Sequence, residues 1–107
     1  MSNVREINEK EFEEIVKNNK FVFVDFFATW CPPCKRLGPV LDDVSEEMGD
    51  KIVMVKINVD ENENVSKQFG IISIPTMIIF KDGEPVNKAV GYIDYEKVVD
   101  MIEKSIN

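Results

Sequence analysis

The stretch Phe21-Val22-Phe23-Val24-Asp25-Phe26-Phe27-Ala28-Thr29-Trp30-Cys31-Pro32-Pro33-Cys34 decides how this chain reads. Its first seven residues are apolar on both faces apart from Asp25, the pattern of a strand buried on both sides. Downstream, Leu37, Val40, Leu41, Val44 and Met48 recur at helical spacing. The only two cysteines of the chain, spaced Cys-x-x-Cys, therefore sit where a buried strand passes into a helix. The first N–H groups of a helix have no intrahelical partner and carry partial positive charge. A sulfur held there is favoured as thiolate, the form that attacks disulfides. Two cysteines this close in sequence can also bond to each other, so the site can cycle between dithiol and disulfide.

Other uses of a cysteine pair fit less well. Zinc and iron–sulfur sites draw on four ligands, typically Cys or His. This chain has no further Cys and no His, which leaves only a metal shared between two chains. A purely structural bridge closing so small a loop removes little entropy from the unfolded chain. Inert buried thiols do not account for two intervening prolines and a helix start. Spacing and context favour redox chemistry.

With 107 residues, 44% hydrophobic and 31% charged, the chain is expected to form one domain, residues 1–107, around one core. A net charge of −7 argues against a nucleic-acid binder, which shows a basic patch. Met1-Ser2-Asn3-Val4-Arg5-Glu6 lacks the basic start and apolar run of a signal peptide, and no apolar run is long enough for a membrane span. The expectation is a cytoplasmic protein with no membrane partner, in a compartment where disulfides are transient and catalytic.

Along the chain, Val4 to Ile7 reads as a short strand. Asn8 and Glu11 form a capping box for a helix carrying Phe12, Ile15 and Val16, with Ile7 and Phe12 at staple positions. After the strand Phe21–Phe27, the next helix is expected to open at Pro33 or Cys34. Pro33 disfavours helical backbone at Pro32, and Pro32 does the same at Cys31. Neither proline has an N–H, so the nearby backbone donors left for a thiolate are those of Cys34 and Lys35. Pro39 interrupts the same helix and is expected to kink it, and Gly49-Asp50 ends it. Residues 52–59 alternate as a strand, with Lys56 and Met54 on the face opposite Val53, Val55 and Ile57. A short helix over 62–69 stops at Gly70, and Ile71-Ile72-Ser73-Ile74-Pro75 forms an apolar loop. Residues 77–80 and 86–92 pair across an Asp82-Gly83 turn, and Asp94 caps a last helix with core residues Val98, Met101, Ile102 and Ile106. The order is βαβαβαββα, an α/β fold whose first strands run parallel and whose hairpin adds an antiparallel edge. Asp25 is either at a strand end open to water or a buried carboxyl beneath the cysteines. In the second case desolvation raises its pKa toward the working pH and makes it a proton acceptor and donor.

Val24-Asp25-Phe26, Ala28, Trp30-Cys31, Pro33-Cys34-Lys35, Pro39, Lys56-Ile57-Asn58-Val59-Asp60, Ile74-Pro75-Thr76, Asp82-Gly83 and Val90-Gly91 together resemble the thioredoxin family over essentially the whole chain. The resemblance also implies a low-pKa thiol, a general property of that family. The resemblance implies a mixed sheet of about five strands flanked by four helices. It implies that Cys31 attacks and the more buried Cys34 resolves, that Asp25 handles the proton of Cys34 with Lys56 near it, and that Pro75 follows a cis bond facing the cysteines. Trp30, Ile74, Pro75, Val90 and Gly91 would bind an extended substrate segment. It further implies a monomer with no bound cofactor beyond the Cys31/Cys34 couple, disulfide-containing client proteins, and a thioredoxin-reductase-type electron donor. Two positions depart from the family: Pro32 stands where Gly is usual, and Phe27 where Trp is usual. Trp-Cys-Pro-Pro-Cys also resembles the motif of anchored or exported reductases of cytochrome biogenesis, which carry an anchor or signal and a fold insert.

A dithiol reductase of protein disulfides is the leading reading. An oxidase or isomerase would run the same exchange in the other direction, set by relative reduction potential. A thioredoxin-like binding subunit is the reading from a different class, and the presence of both cysteines with Asp25 and Pro75 speaks against it.

Overall fold

The computed structural model describes residues 3–107. Its elements are β1 (Arg5–Ile7), α1 (Glu9–Asn18), β2 (Phe21–Phe27), α2 (Pro32–Met48), β3 (Val53–Asn58), α3 (Glu63–Gln68), β4 (Thr76–Lys81), β5 (Glu84–Val90) and α4 (Tyr95–Ile106). The order is the one the sequence implies. The strands form a five-stranded sheet in the order β1-β3-β2-β4-β5. β1, β3 and β2 are parallel, while β4 and β5 add the antiparallel side.

β2 lies at the centre, and its alternation assigns the two layers. Phe23 points into a cluster with Leu37, Leu41, Val44 and Met48 of α2 and Val98, Met101 and Ile102 of α4. Val22, Val24 and Phe26 point the other way, toward Phe12 and Val16 of α1 and Val65 of α3. That second layer is stitched by edge-on aromatic pairs, Phe12–Phe80 and Phe69–Phe80, with centroids 5.4 and 5.2 Å apart. Ile7 and Phe12 are both buried there, and the Asn8/Glu11 capping box is formed as its sequence signature implies.

α2 opens earlier than the sequence suggested. Pro32 and Pro33 occupy its first two positions, with Cys31 as the N-cap. The missing proline N–H groups would be unpaired at those positions in any helix, so both prolines fit there. The restriction that a following proline imposes is met at Cys31, which is extended at φ −91°, ψ 111°. The helix continues through Pro39 to Met48.

Candidate active site

β2 ends at Phe27, whose carbonyl accepts from the Val59 N–H at 2.9 Å, so the ends of β2 and β3 stay joined. The chain then turns through Ala28, Thr29 and Trp30 and delivers Cys31 to the start of α2. Cys31 Sγ takes the place that a serine or aspartate oxygen usually takes at an N-cap: the Cys34 N–H donates to it at 3.3 Å. The Lys35 N–H is already used by the Cys31 carbonyl, at 3.1 Å. Of the two donors left by the prolines, one therefore serves the sulfur and the other closes the helix.

Cys31 and Cys34 are joined as a disulfide, with Cα atoms 5.2 Å apart. They pack with Ala28 against Phe27, Val59 and Ile74. The expected difference in exposure between the two is absent. Cys31 is 3% exposed and Cys34 6%, because the N-cap sulfur is bonded to its partner and covered by the Ile74 loop. Cys31 Sγ lies 3.8 Å from the Ile74 carbonyl oxygen.

The bond between Ile74 and Pro75 is cis. Pro75 is buried, and its carbonyl accepts from the Gly91 N–H at 2.8 Å. Gly91 has φ +89°, a conformation that disfavours any side chain. Val90 pairs with Thr76 across the hairpin and is 55% exposed. The structure thus brings Ile74, Pro75, Val90 and Gly91 together beside the disulfide. Trp30 adjoins it as a largely exposed ring whose Nε1–H donates to Asp60 Oδ2 at 2.7 Å. The Asp60 N–H in turn donates to Asn58 Oδ1 at 2.9 Å.

Asp25 is buried, which excludes the reading of a strand end open to water. It lies between Lys56 of β3 and Met77 of β4 in the sheet register. Being two residues from Phe23, it faces the α2 layer, where Cys34 begins the inward stripe continued by Leu37, Leu41 and Val44. Its Oδ1 has no hydrogen-bond partner among the described residues. Desolvation pushes its pKa from 3.8 up to about 7, and the Lys56 ammonium pulls against that rise without cancelling it. Lys56 Nζ sits 5.4 Å from the centroid of the Phe27 ring, a cation–π contact made at one of the two positions where the chain departs from the family.

Some of this was not visible in the sequence. The Trp30–Asp60 bond was missed, although the carboxyl ends of parallel strands are where open α/β sheets gather functional groups, and Asp60 lies two residues past the end of β3. The Phe27–Lys56 contact depends on β2–β3 register, which periodicity alone does not give. The outward turn of Ile72, 95% exposed within an apolar loop, had no signal.

A cysteine pair that closes as a disulfide at a helix N-terminus, over a buried carboxyl and beside an apolar rim, defines a thiol–disulfide oxidoreductase. The Thioredoxin family model matches residues 3–104. A thioredoxin of Alicyclobacillus acidocaldarius is 44% identical over 92 residues, covering 86% of this chain and 88% of that protein. One from Rickettsia typhi is 40% identical over 106 residues, 99% of each. Among solved structures, a mutant thioredoxin from Halobacterium salinarum superposes with a TM-score of 0.90 at 31% identity, over 99% of this chain and 94% of that one. The chain belongs to the thioredoxin family and is a protein-disulfide reductase, with disulfide-containing clients and a reductase donor as its general partners. No helix among the described residues is long and apolar enough to cross a membrane.

Proposed function

We propose that the chain works as a general cytoplasmic dithiol reductase, monomeric, needing no bound cofactor beyond the Cys31/Cys34 couple. The observation that carries this reading is the Cys31 sulfur capping α2, with Cys34 one turn on at the head of the stripe that faces Asp25.

In the reduced protein the Cys31 thiolate, steadied by the Cys34 N–H, attacks a client disulfide. A Cys31–client sulfur bond forms, the client disulfide breaks, and one client thiolate leaves and takes up a proton. Asp25 then accepts the proton of the Cys34 thiol. The Cys34 thiolate attacks Cys31 Sγ, the mixed disulfide breaks, and the second client sulfur leaves as a thiolate that takes up the proton held by Asp25. Two electrons have passed to the client, and the protein is left as the Cys31–Cys34 disulfide. A thioredoxin-reductase-type donor returns two electrons and two protons. An Asp25 pKa of about 7 suits a group that must both take and give a proton near neutral pH. Lys56 tunes that pKa, while Trp30, Ile74, Pro75, Val90 and Gly91 form the rim on which an extended client segment lies.

Exposure does not distinguish the two sulfurs, so the assignment of Cys31 as attacker rests on its place at the cap. Trapping tests it. Cys34→Ser is expected to accumulate mixed disulfides with clients, and Cys31→Ser is not; the opposite pattern reverses the roles. Insulin reduction with dithiothreitol as electron source, paired with a glutathione equilibrium, separates the functions. Turnover with a strongly reducing potential supports the reductase, an oxidising potential supports the oxidase or isomerase, and no turnover supports a binding subunit.

A further inference from the structure

Ile72 is the most exposed large apolar side chain among the described residues, at 95%. Its neighbours are turned inward: Ile71 packs on the α1/α3 layer and Ile74 on the cysteine pair. The loop between them is pinned. The Ile71 N–H donates to the Ser66 carbonyl at 2.9 Å, Thr76 Oγ1 to the Ser73 carbonyl at 2.5 Å, and the Gly91 N–H to the Pro75 carbonyl at 2.8 Å. Ile72 is therefore held outward, and no part of the fold buries it.

Its position relative to the reacting sulfur is fixed by the same loop. Ile74 places its carbonyl oxygen 3.8 Å from Cys31 Sγ. Ile72 is two residues away, at most about 7 Å of chain. A polypeptide joined to Cys31 during exchange can reach Ile72 through residues lying within about three positions of its own cysteine. A small disulfide does not reach it. A second copy of this chain is a poor occupant, because two copies each of charge −7 repel.

We propose that Ile72 is a specificity contact for protein disulfides: it packs against an apolar side chain that the client carries near its reacting cysteine, and so favours such clients over small or polar disulfides. This rests on the reductase reading and adds a residue outside the rim described above.

A double-mutant cycle tests it. Wild type and Ile72→Ser are compared on two disulfide peptides, with leucines or serines flanking the reacting cysteines, and on hydroxyethyl disulfide. The wild type is expected to prefer the leucine peptide by about tenfold in kcat/KM, the effect of burying part of one Ile side chain. Ile72→Ser is expected to bring that preference within about twofold, with the hydroxyethyl disulfide rate unchanged. Ile72→Val should keep most of the preference. An unchanged preference in Ile72→Ser overturns the proposal, as does an equal loss on all three substrates. Sedimentation showing a wild-type dimer that Ile72→Ser dissolves assigns the residue to a second copy and also overturns it. A wild type inactive on all three substrates overturns the reductase reading, whereas activity without selectivity overturns this inference alone.

Discussion

The two faces of β2 carry the same kind of sequence to different ends. On one face Val22, Val24 and Phe26 meet Phe12, Val16 and Phe80 in a layer whose buried cluster is wholly apolar. On the other, Phe23 and Phe27 flank Asp25, a carboxyl held out of water with Lys56 as the charge acting on it. A buried carboxyl opposes folding once it ionises. The first face holds the sheet together. The second gives up stability at the place where α2 presents its cysteines.

The largest expected effect falls on the chemical face alone. Cys34→Ser removes the thiol proposed to resolve the mixed disulfide, so multiple turnover with protein disulfides should fall by about a thousandfold or more, as happens when a nucleophile is lost. Stability of the reduced fold should barely change, since oxygen replaces sulfur at one small side chain. Retained turnover in stopped-flow reduction assays would break the division of roles between the cysteines.

The next test strikes the packing face. Phe80 is buried and makes edge-on contacts with both Phe12 and Phe69. Phe80→Ala should cost about 3–5 kcal/mol in urea unfolding, through lost burial and a cavity. The surviving folded protein should exchange disulfides at the wild-type rate, with an unchanged pH profile. A shifted profile would show that the two faces are coupled.

The smallest effect belongs to Pro32. With both prolines in place, Cys31 Sγ has the Cys34 N–H as its near backbone donor, because the Lys35 N–H serves the Cys31 carbonyl. Pro32→Gly adds an N–H and loosens the loop. The added donor favours the thiolate, and the lost pre-set geometry disfavours ring closure, so the wild type should be the more reducing of the two. Glutathione equilibria of both proteins under the same conditions measure this. A more reducing Pro32→Gly variant would show that strain in the closed ring outweighs the donor.

The legible and illegible parts of the molecule follow the same boundary. Element order, the buried centre strand, the helix caps at Asn8 and Asp94 and the Asp82-Gly83 hairpin were readable because each depends on local periodicity or turn chemistry. Asp25 stood out because a carboxyl inside an apolar run has few explanations. The start of α2 lies one residue earlier than expected because Pro32 is helical although Pro33 follows it: the preference against helical backbone before a proline is overridden at Pro32 and met at the N-cap, Cys31. The near-equal burial of the two cysteines depends on Ile74, forty residues away, closing over them. The Trp30–Asp60 bond and the Lys56–Phe27 contact are likewise products of register between strands. What the site gains from distant segments is what a single sequence leaves unread.

The central claim is that Asp25 is a buried proton carrier kept at the expense of stability. Its pKa is raised on folding from 3.8 to about 7, so the folded state holds this proton more tightly than the unfolded chain. Its contribution is most favourable below the unfolded pKa and is lost as pH rises through the folded one. Urea unfolding of the reduced wild type and of Asp25→Asn, run from pH 4 to pH 8, measures it. Relative to the variant, the wild type should lose about 4 kcal/mol across that window. In the same samples the resolving step of Asp25→Asn should be slower by about a hundredfold at neutral pH, the usual scale for losing a general base. Parallel stability curves with an unchanged resolving rate would contradict the account and remove Asp25 from the mechanism.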